Sequence, residues 1–474
     1  MRRLHLGAGE LVVRRAVLAR RGTGLLTRLL RRPEHLMVGA FAGLILAGAI
    51  VLRLPVSQAH DDIGFLDTLF TATSAVCVTG LITRDTATEY SRTGQTVIMI
   101  LIQLGGLGVL TFGALAYQLV GRRFSFQTHA ALQDTLSCAD FRTRLRSALR
   151  HILLITFVVE TLGALLLYLG LQSYPQPRGG WFAACFLAVA AFCNAGFSVF
   201  SDNVMGLRGS PLILLTLMGL ITVGGLGYMV VLEVVRRWWR WVRRQQQSPV
   251  VWSLNSRVVL RSSAILVVGG ACALMLVGLT PDESTPGSYL LNALFQSVTA
   301  RTAGFNTVDI GALPVASLLI LVGLMFIGGA PGSCAGGIKI TSASVWLARV
   351  RARLAGRQDV TLGGRRIPHE VVRRAALVLA LAALWNMGGV VLLTITEDVG
   401  QETRLEQVIF EQVSAFATVG LSTGLTPHLS NMGKLWIIAT MFVGRLGPLT
   451  MALAVLPPVG APCYSYPEER VMIG

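Results

Sequence analysis

Four triplets stand out for the chemistry their backbones could do: "VTG" (78–80), "NAG" (194–196), "TAG" (302–304) and "TVG" (418–420). None carries a charge, and each ends in a glycine free to take positive φ. Such turns can aim successive carbonyls at one point. A ring of carbonyl oxygens can replace the hydration shell of a monovalent cation such as K⁺. The candidate cation-binding residues are therefore Val78, Thr79, Gly80, Asn194, Ala195, Gly196, Thr302, Ala303, Gly304, Thr418, Val419 and Gly420. Asp85, Asp202 and Asp309 follow three of the glycines by five or six residues. A broken acidic ring there would concentrate cations at an outer mouth; ordinary solvated loop aspartates are the competing reading.

The triplets sit in longer look-alikes: "LFTATSAVCVTGL" (69–81), "CFLAVAAFCNAGF" (185–197), "LFQSVTARTAGF" (294–305) and "IFEQVSAFATVGL" (409–421). A second signal follows each glycine by 24–28 residues: "GGLG" (105–108), "GGLG" (224–227), "GGAPG" (328–332) and "GRLG" (444–447). Small residues that merely let helices touch would explain any single copy. Four copies at matched offsets argue for a fourfold internal repeat. In the third, "GGAPGSCAGG" has five glycines and a proline in ten residues, so a continuous helix is not expected. Residues 328–338 read as an intramembrane gate built on Gly328, Gly329, Gly332, Gly336 and Gly337. Lys339 follows it and is expected to extend toward the cytoplasmic interface. Arg445 of "GRLG" aligns with this loop. Its guanidinium is expected to donate to the loop's carbonyls, offsetting an insertion cost of roughly 2.5–3.5 kcal/mol. At ~8 Å from a cation and an effective dielectric constant of about 20, it would repel by about 2 kcal/mol.

These turns need elements to hold them. The chain is 53% hydrophobic and 14% charged, against about 25% charged in soluble domains. Apolar runs near the ~20 residues that cross a bilayer recur throughout. The expected fold is all-α and integral to the membrane, with four units of span, re-entrant half-helix and span. That makes eight spans and four half-helices, in pseudo-fourfold array around one pore. The boundaries are 36–120, 149–235, 256–347 (with the gate) and 372–457, after a basic segment 1–35 and before a tail 458–474. Irregular backbone at membrane depth is tolerated only inside protein or along a watery cavity, and each half-helix would point its C-terminal dipole at the cation.

The net charge of +17 does not signal nucleic acid. Residues 1–35, 121–150, 236–261 and 349–374 hold 30 of the 41 basic side chains, and Arg clusters beside spans mark cytoplasmic loops. The intervening loops carry the acids. Both termini are therefore expected inside, with the N-terminal segment lying on anionic headgroups. The seven cysteines (77, 138, 185, 193, 272, 334, 463) lack metal-ligand spacing and read as small buried residues. No G-x-x-x-x-G-K-[ST] loop supports a pump or enzyme, and no span has the arginine periodicity of a voltage sensor. Glu160 is the one carboxylate expected inside a span; a hydrogen-bonded helix contact is preferred to a proton relay.

Together the four triplets, "RTAGFNT" (301–307), "MFIGGAPGSCAGGIK" (325–339) and "MFVGRLGPLT" (441–450) resemble the Trk/Ktr/HKT superfamily of potassium transporters. The KtrB type is nearest, since no extra pair of spans precedes the first repeat. The resemblance implies K⁺ uptake through a homodimer with one pore per subunit in the cell membrane. It implies too a cytosolic KtrA/TrkA-like ring that carries the regulatory nucleotide, no cofactor in this chain, and Na⁺ left open as a co-ion. Glycine at Gly80, where some plant HKT members have serine and pass Na⁺, favours K⁺. A Na⁺-permeable or poorly selective HKT-like carrier is the alternative.

Overall fold

The computed structural model describes residues 33–60, 63–120, 141–174, 180–243, 252–278, 286–397 and 403–455. Most of the basic N-terminal segment, the C-terminal tail, and Cys138 and Cys463 lie outside the described residues, as do parts of the basic loops.

Each sequence repeat begins with a long apolar helix: α1 (Pro33–Leu52), α4 (Phe141–Leu171), α8 (Leu254–Val277) and α12 (His369–Thr396). All four contain stretches long and apolar enough to cross a bilayer. Between them and the next span lie the short helices α2 (Phe65–Val76), α5 (Trp181–Cys193), α9 (Pro286–Thr299) and α13 (Leu405–Ala417). With 12 to 14 residues, they match the half-helices expected from the pattern. Their repeated phenylalanines explain themselves: Phe70, Phe186, Phe295 and Phe410 are all wholly buried. At roughly 1.5–3 kcal/mol for a buried aromatic side chain, each anchors its half-helix in the core.

The second spans depart from expectation. Only the third repeat was expected to break, yet three of the four do. α3 (Arg92–Val120) is one helix. In the second repeat, α6 (Pro211–Leu226) and α7 (Tyr228–Val242) meet at 111°. In the fourth, α14 (Asn431–Leu446) and α15 (Pro448–Val455) meet at 101°. The corners are Gly227 (φ 82°) and Gly447 (φ 89°), the last residues of "GGLG" and "GRLG". Both hold the left-handed region that glycine reaches without penalty, and Pro448 cannot continue the helix before it. In the third repeat α10 (Val315–Phe326) and α11 (Ile340–Leu354) are separated by the loop 327–339, and a short hairpin of β1 (Thr361–Leu362) with β2 (Arg365–Arg366) follows.

Glu160 sits on α4 and accepts a hydrogen bond at 3.2 Å from Gln103 Nε2 on α3, the helix contact expected of it. The five described cysteines are free thiols.

Candidate functional site

The four triplets come together. A Cβ on Gly80 would collide with the Ala195 carbonyl; one on Gly196 would sit 2.9 Å from the Ala303 oxygen and 3.0 Å from Gly304 Cα. One on Gly304 would collide with the Val419 carbonyl, and one on Gly420 with that of Thr79. Each turn abuts the next in chain order, and the fourth returns to the first. Glycine is needed for two reasons here: space, and φ values of 97°, 66°, 79° and 93°. Two residues earlier, Val78 (56°), Asn194 (59°), Thr302 (78°) and Thr418 (50°) are also left-handed. For branched residues this costs on the order of 1–3 kcal/mol each and persists only where surroundings enforce it.

The half-helices enforce it locally. Thr79, Ala195 and Val419 donate their N–H back to Ser74, Ala190 and Ser414 carbonyls at 2.8, 2.7 and 2.9 Å, the six-to-one closure of a left-handed helix C-cap. Ser74 and Ser414 hydroxyls accept the Gly80 and Gly420 N–H at 3.0 and 3.1 Å. The third repeat is one residue shorter between its phenylalanine and its glycine, and its closure shifts. There Ala303 and Gly304 both donate to Thr299 O, at 2.9 and 3.4 Å. Arg301, just before that triplet, turns away and donates to Ser263 Oγ at 3.1 Å.

The donors thus face backward, and the acceptors do not. Among the described residues, the carbonyls of Thr79, Ala195, Ala303 and Val419 accept no hydrogen bond, although all four residues are wholly buried. Buried carbonyls are almost always paired. Four unpaired ones, at equivalent positions and facing neighbouring glycines, form an electronegative junction at the C-terminal ends of four half-helices, where helix dipoles add negative potential.

Beneath it lies the 327–339 loop, cross-linked to other repeats. Ala330 and Cys334 donate to Gly225 and Gly224 carbonyls at 3.0 and 3.3 Å, and Tyr228 N–H donates to Gly332 O at 3.0 Å. Ile327 and Ile338 form a parallel bridge, with Gly328 N–H donating to Ile338 O at 2.9 Å. A Cβ on Gly336 would collide with the Thr418 side chain, and one on Gly337 would lie 3.1 Å from Ala417 Cα. The loop therefore presses on the base of the fourth turn. Arg445 is 4% exposed and donates to Cys334 O in this loop, and to Gly105 and Gly106 O at 2.6 and 3.3 Å. It meets the loop as expected, and the first repeat's "GGLG" as well. The glycines also serve the packing role that their spacing argued against: a Cβ on Gly105, Gly224 or Gly444 would strike the carbonyl of Val76, Phe192 or Phe416, the last turn of its own half-helix.

One expectation is corrected. Lys339 does not extend to the interface: its Nζ donates to Ala335 O at 2.5 Å, closing the loop on itself. The three outer aspartates each cap their own turn. Asp85 accepts from Ala87 N–H at 2.9 Å, Asp202 from Gly206 N–H at 2.9 Å, and Asp309 from Gly311 N–H at 3.0 Å.

Two buried carboxylates on the half-helices escaped the sequence reading. Glu411 accepts from Ser422 Oγ (2.6 Å), Thr423 N–H (2.9 Å) and Thr426 Oγ (2.7 Å), pinning the loop beyond the fourth turn. Asp67 pairs with Lys434 of the fourth repeat at 2.9 Å and with Arg84 at 3.3 Å. The signal was an acid inside each of these two short helices, Asp67 alone in α2 and Glu411 beyond the first turn of α13.

The family profile described as "TrkH: Cation transport protein" matches residues 43–458. The chain belongs to this family. It is 36% identical to Ktr system potassium uptake protein B of Bacillus subtilis, over 89% of this chain and 92% of that one. It is 34% identical to the potassium/sodium uptake protein NtpJ of Enterococcus hirae, over 93% and 97%. The crystal structure of the potassium transporter TrkH from Vibrio parahaemolyticus shares the fold, with a TM-score of 0.71 and 18% identity over 90% and 85% of the two chains. The chain is thus a multi-pass membrane protein of the Ktr/Trk potassium uptake family, whose members are transporters rather than enzymes.

Proposed function

We propose that this chain is the K⁺-translocating subunit of a Ktr/Trk-type uptake system in the cell membrane, its four repeats in pseudo-fourfold array around one pore and both termini cytoplasmic. The carbonyls of residues 78–80, 194–196, 302–304 and 418–420 strip and hold the ion. The observation that carries this reading is the set of buried, unpaired carbonyls at the glycine junction, since a bare cation is the partner that four converging oxygens lack. Residues 328–338 act as the gate, tied shut by Arg445 and by the second repeat's "GGLG" backbone. Names of relatives that specify potassium uptake support the choice of ion. A homodimer and a cytosolic KtrA/TrkA-like nucleotide-binding ring complete the assembly; the arginines flanking the spans offer that ring a basic face.

The test is ⁸⁶Rb⁺ uptake in cells lacking their own potassium systems, with and without a candidate ring subunit. K⁺ should compete with Rb⁺ far better than Na⁺, and the ring should raise the rate. Equal competition by Na⁺ would overturn the selectivity, and no uptake in either arm at normal membrane expression would overturn translocation.

A further inference from the structure

The face opposite the glycine junction holds a built basic cavity. The helix α11, which leaves the 327–339 loop, ends in a left-handed glycine cap: Gly356 has φ 67°, and Arg357 N–H donates to Ala352 O at 2.8 Å. The chain then turns through the β1–β2 hairpin, whose Gly363 and Gly364 are both left-handed (57° and 80°), the geometry of a tight hairpin turn. Ile367 N–H donates to Val360 O at 2.9 Å, returning the chain to α12. Ala352, Val360, Ile367 and Val372 form an apolar floor that locks the three elements together.

Over this floor lies a cavity of about 220 Å³ lined by Arg349, Arg353, Arg357 and Arg373, with Gln358 and His369. Among the described residues none of these four guanidiniums meets a carboxylate. Of the two nearest acids in sequence, Asp359 is taken by Arg366 at 3.0 Å, and Glu370, exposed in the first turn of α12, forms no ion pair with any of the four among the described residues. Four cations lining one cavity, none of them paired with a carboxylate among the described residues, call for an external anion. Guanidinium forks match the oxygens of a phosphate in paired hydrogen bonds.

Position selects the source. α12 has 28 residues, about 42 Å of helix at 1.5 Å per residue, against a hydrocarbon core of about 30 Å. Its Thr396 end meets the outer loops, Thr396 Oγ donating to Glu397, which accepts from Ser430. The His369 end therefore emerges at headgroup level on the opposite side. Beside the cavity, α11 exposes Trp346 and Leu354, an aromatic and an aliphatic side chain suited to the membrane interface. We propose that this cavity binds the phosphate of an anionic phospholipid in the adjoining leaflet.

The test uses the purified full chain in a neutral detergent and reads its melting temperature against added short-chain lipid, so no ion flux enters and the transport reading can fail separately. Phosphatidylglycerol should half-saturate at a concentration about tenfold lower than phosphatidylcholine. The exposed pair Arg353→Gln/Arg357→Gln should weaken phosphatidylglycerol at least fivefold, with the unliganded melting temperature unchanged. Arg236→Gln/Arg240→Gln, which removes the same charge from α7, should not weaken it. Equal loss in both pairs, or no loss in the first, would overturn the site. Inorganic phosphate that saturates the protein at the same concentration as phosphatidylglycerol would move the source to a soluble phosphate and overturn the lipid assignment.

Discussion

The glycine junction and the layer of breaks beneath it are built from the same fourfold repeat, yet they are held in opposite ways. At the junction every turn is closed by bonds to its own half-helix four to six residues back. In the layer below, the decisive bonds cross between repeats: Ala330 to Gly225, Tyr228 to Gly332, Arg445 to Cys334, Gly105 and Gly106. Local closure makes the four upper turns alike and hard to deform. Cross-repeat closure lets the lower elements differ, as one straight helix, two sharp corners and a thirteen-residue loop. On the proposed reading, the junction is the rigid ion site and the layer below supplies ties that can exchange, as selective but gated conduction requires.

The sharpest way to break this contrast is alanine at the junction. Gly420→Ala or Gly304→Ala adds a Cβ that meets a neighbouring carbonyl, in a conformation that costs about 1–2 kcal/mol for an L-residue. ⁸⁶Rb⁺ uptake should fall more than a hundredfold at equal membrane expression. Gly447→Ala in the lower layer shares the left-handed φ but meets no atom within 4 Å, so its loss should stay within about tenfold. Similar losses at the two levels would erase the distinction.

Arg445 tests the lower layer directly. Its guanidinium ties the loop of the third repeat to the first repeat's helix, and its charge lies on the expected path of the ion. Arg445→Ala removes both tie and repulsion. With about 2 kcal/mol of repulsion lifted, uptake or leak should rise by up to about thirtyfold. Arg445→Lys keeps the charge but cannot bridge both backbones with one ammonium, so it should rise less. An unchanged rate for Arg445→Ala would leave the residue a packing role alone.

What the sequence made legible follows the same division. The triplets, the half-helix lengths and the buried phenylalanines were readable because each is fixed within about a dozen residues. Even the irregular third turn has a local cause, the missing residue between Phe295 and Gly304. The corners at Gly227 and Gly447 were not read, because "GGLG" at 105–108 has the same letters and stays within a helix. What differs is the loop that packs against Gly227, more than a hundred residues away. Glu411 was missed because its partners, the hydroxyls of Ser422 and Thr426 and the N–H of Thr423, are brought to it by the fold of the loop beyond the turn. Lys339 was misplaced because the irregular loop brings the Ala335 carbonyl to its ammonium; no periodicity announces either.

The smallest effect is expected where the sequence suggested an acidic mouth. Asp85, Asp202 and Asp309 each spend a carboxylate oxygen on an N–H of their own loop, and asparagine can accept the same bond. Replacing all three by Asn removes three negative charges and keeps the turns. At physiological salt, where charges beyond about 8 Å are screened, the rate at saturating Rb⁺ should change less than twofold. If the aspartates do gather cations, the loss should appear at low Rb⁺ and low ionic strength, and disappear as salt is raised. A loss that persists in high salt would mean that the turns themselves shape the junction, which would make the outer loops part of the rigid layer rather than its rim.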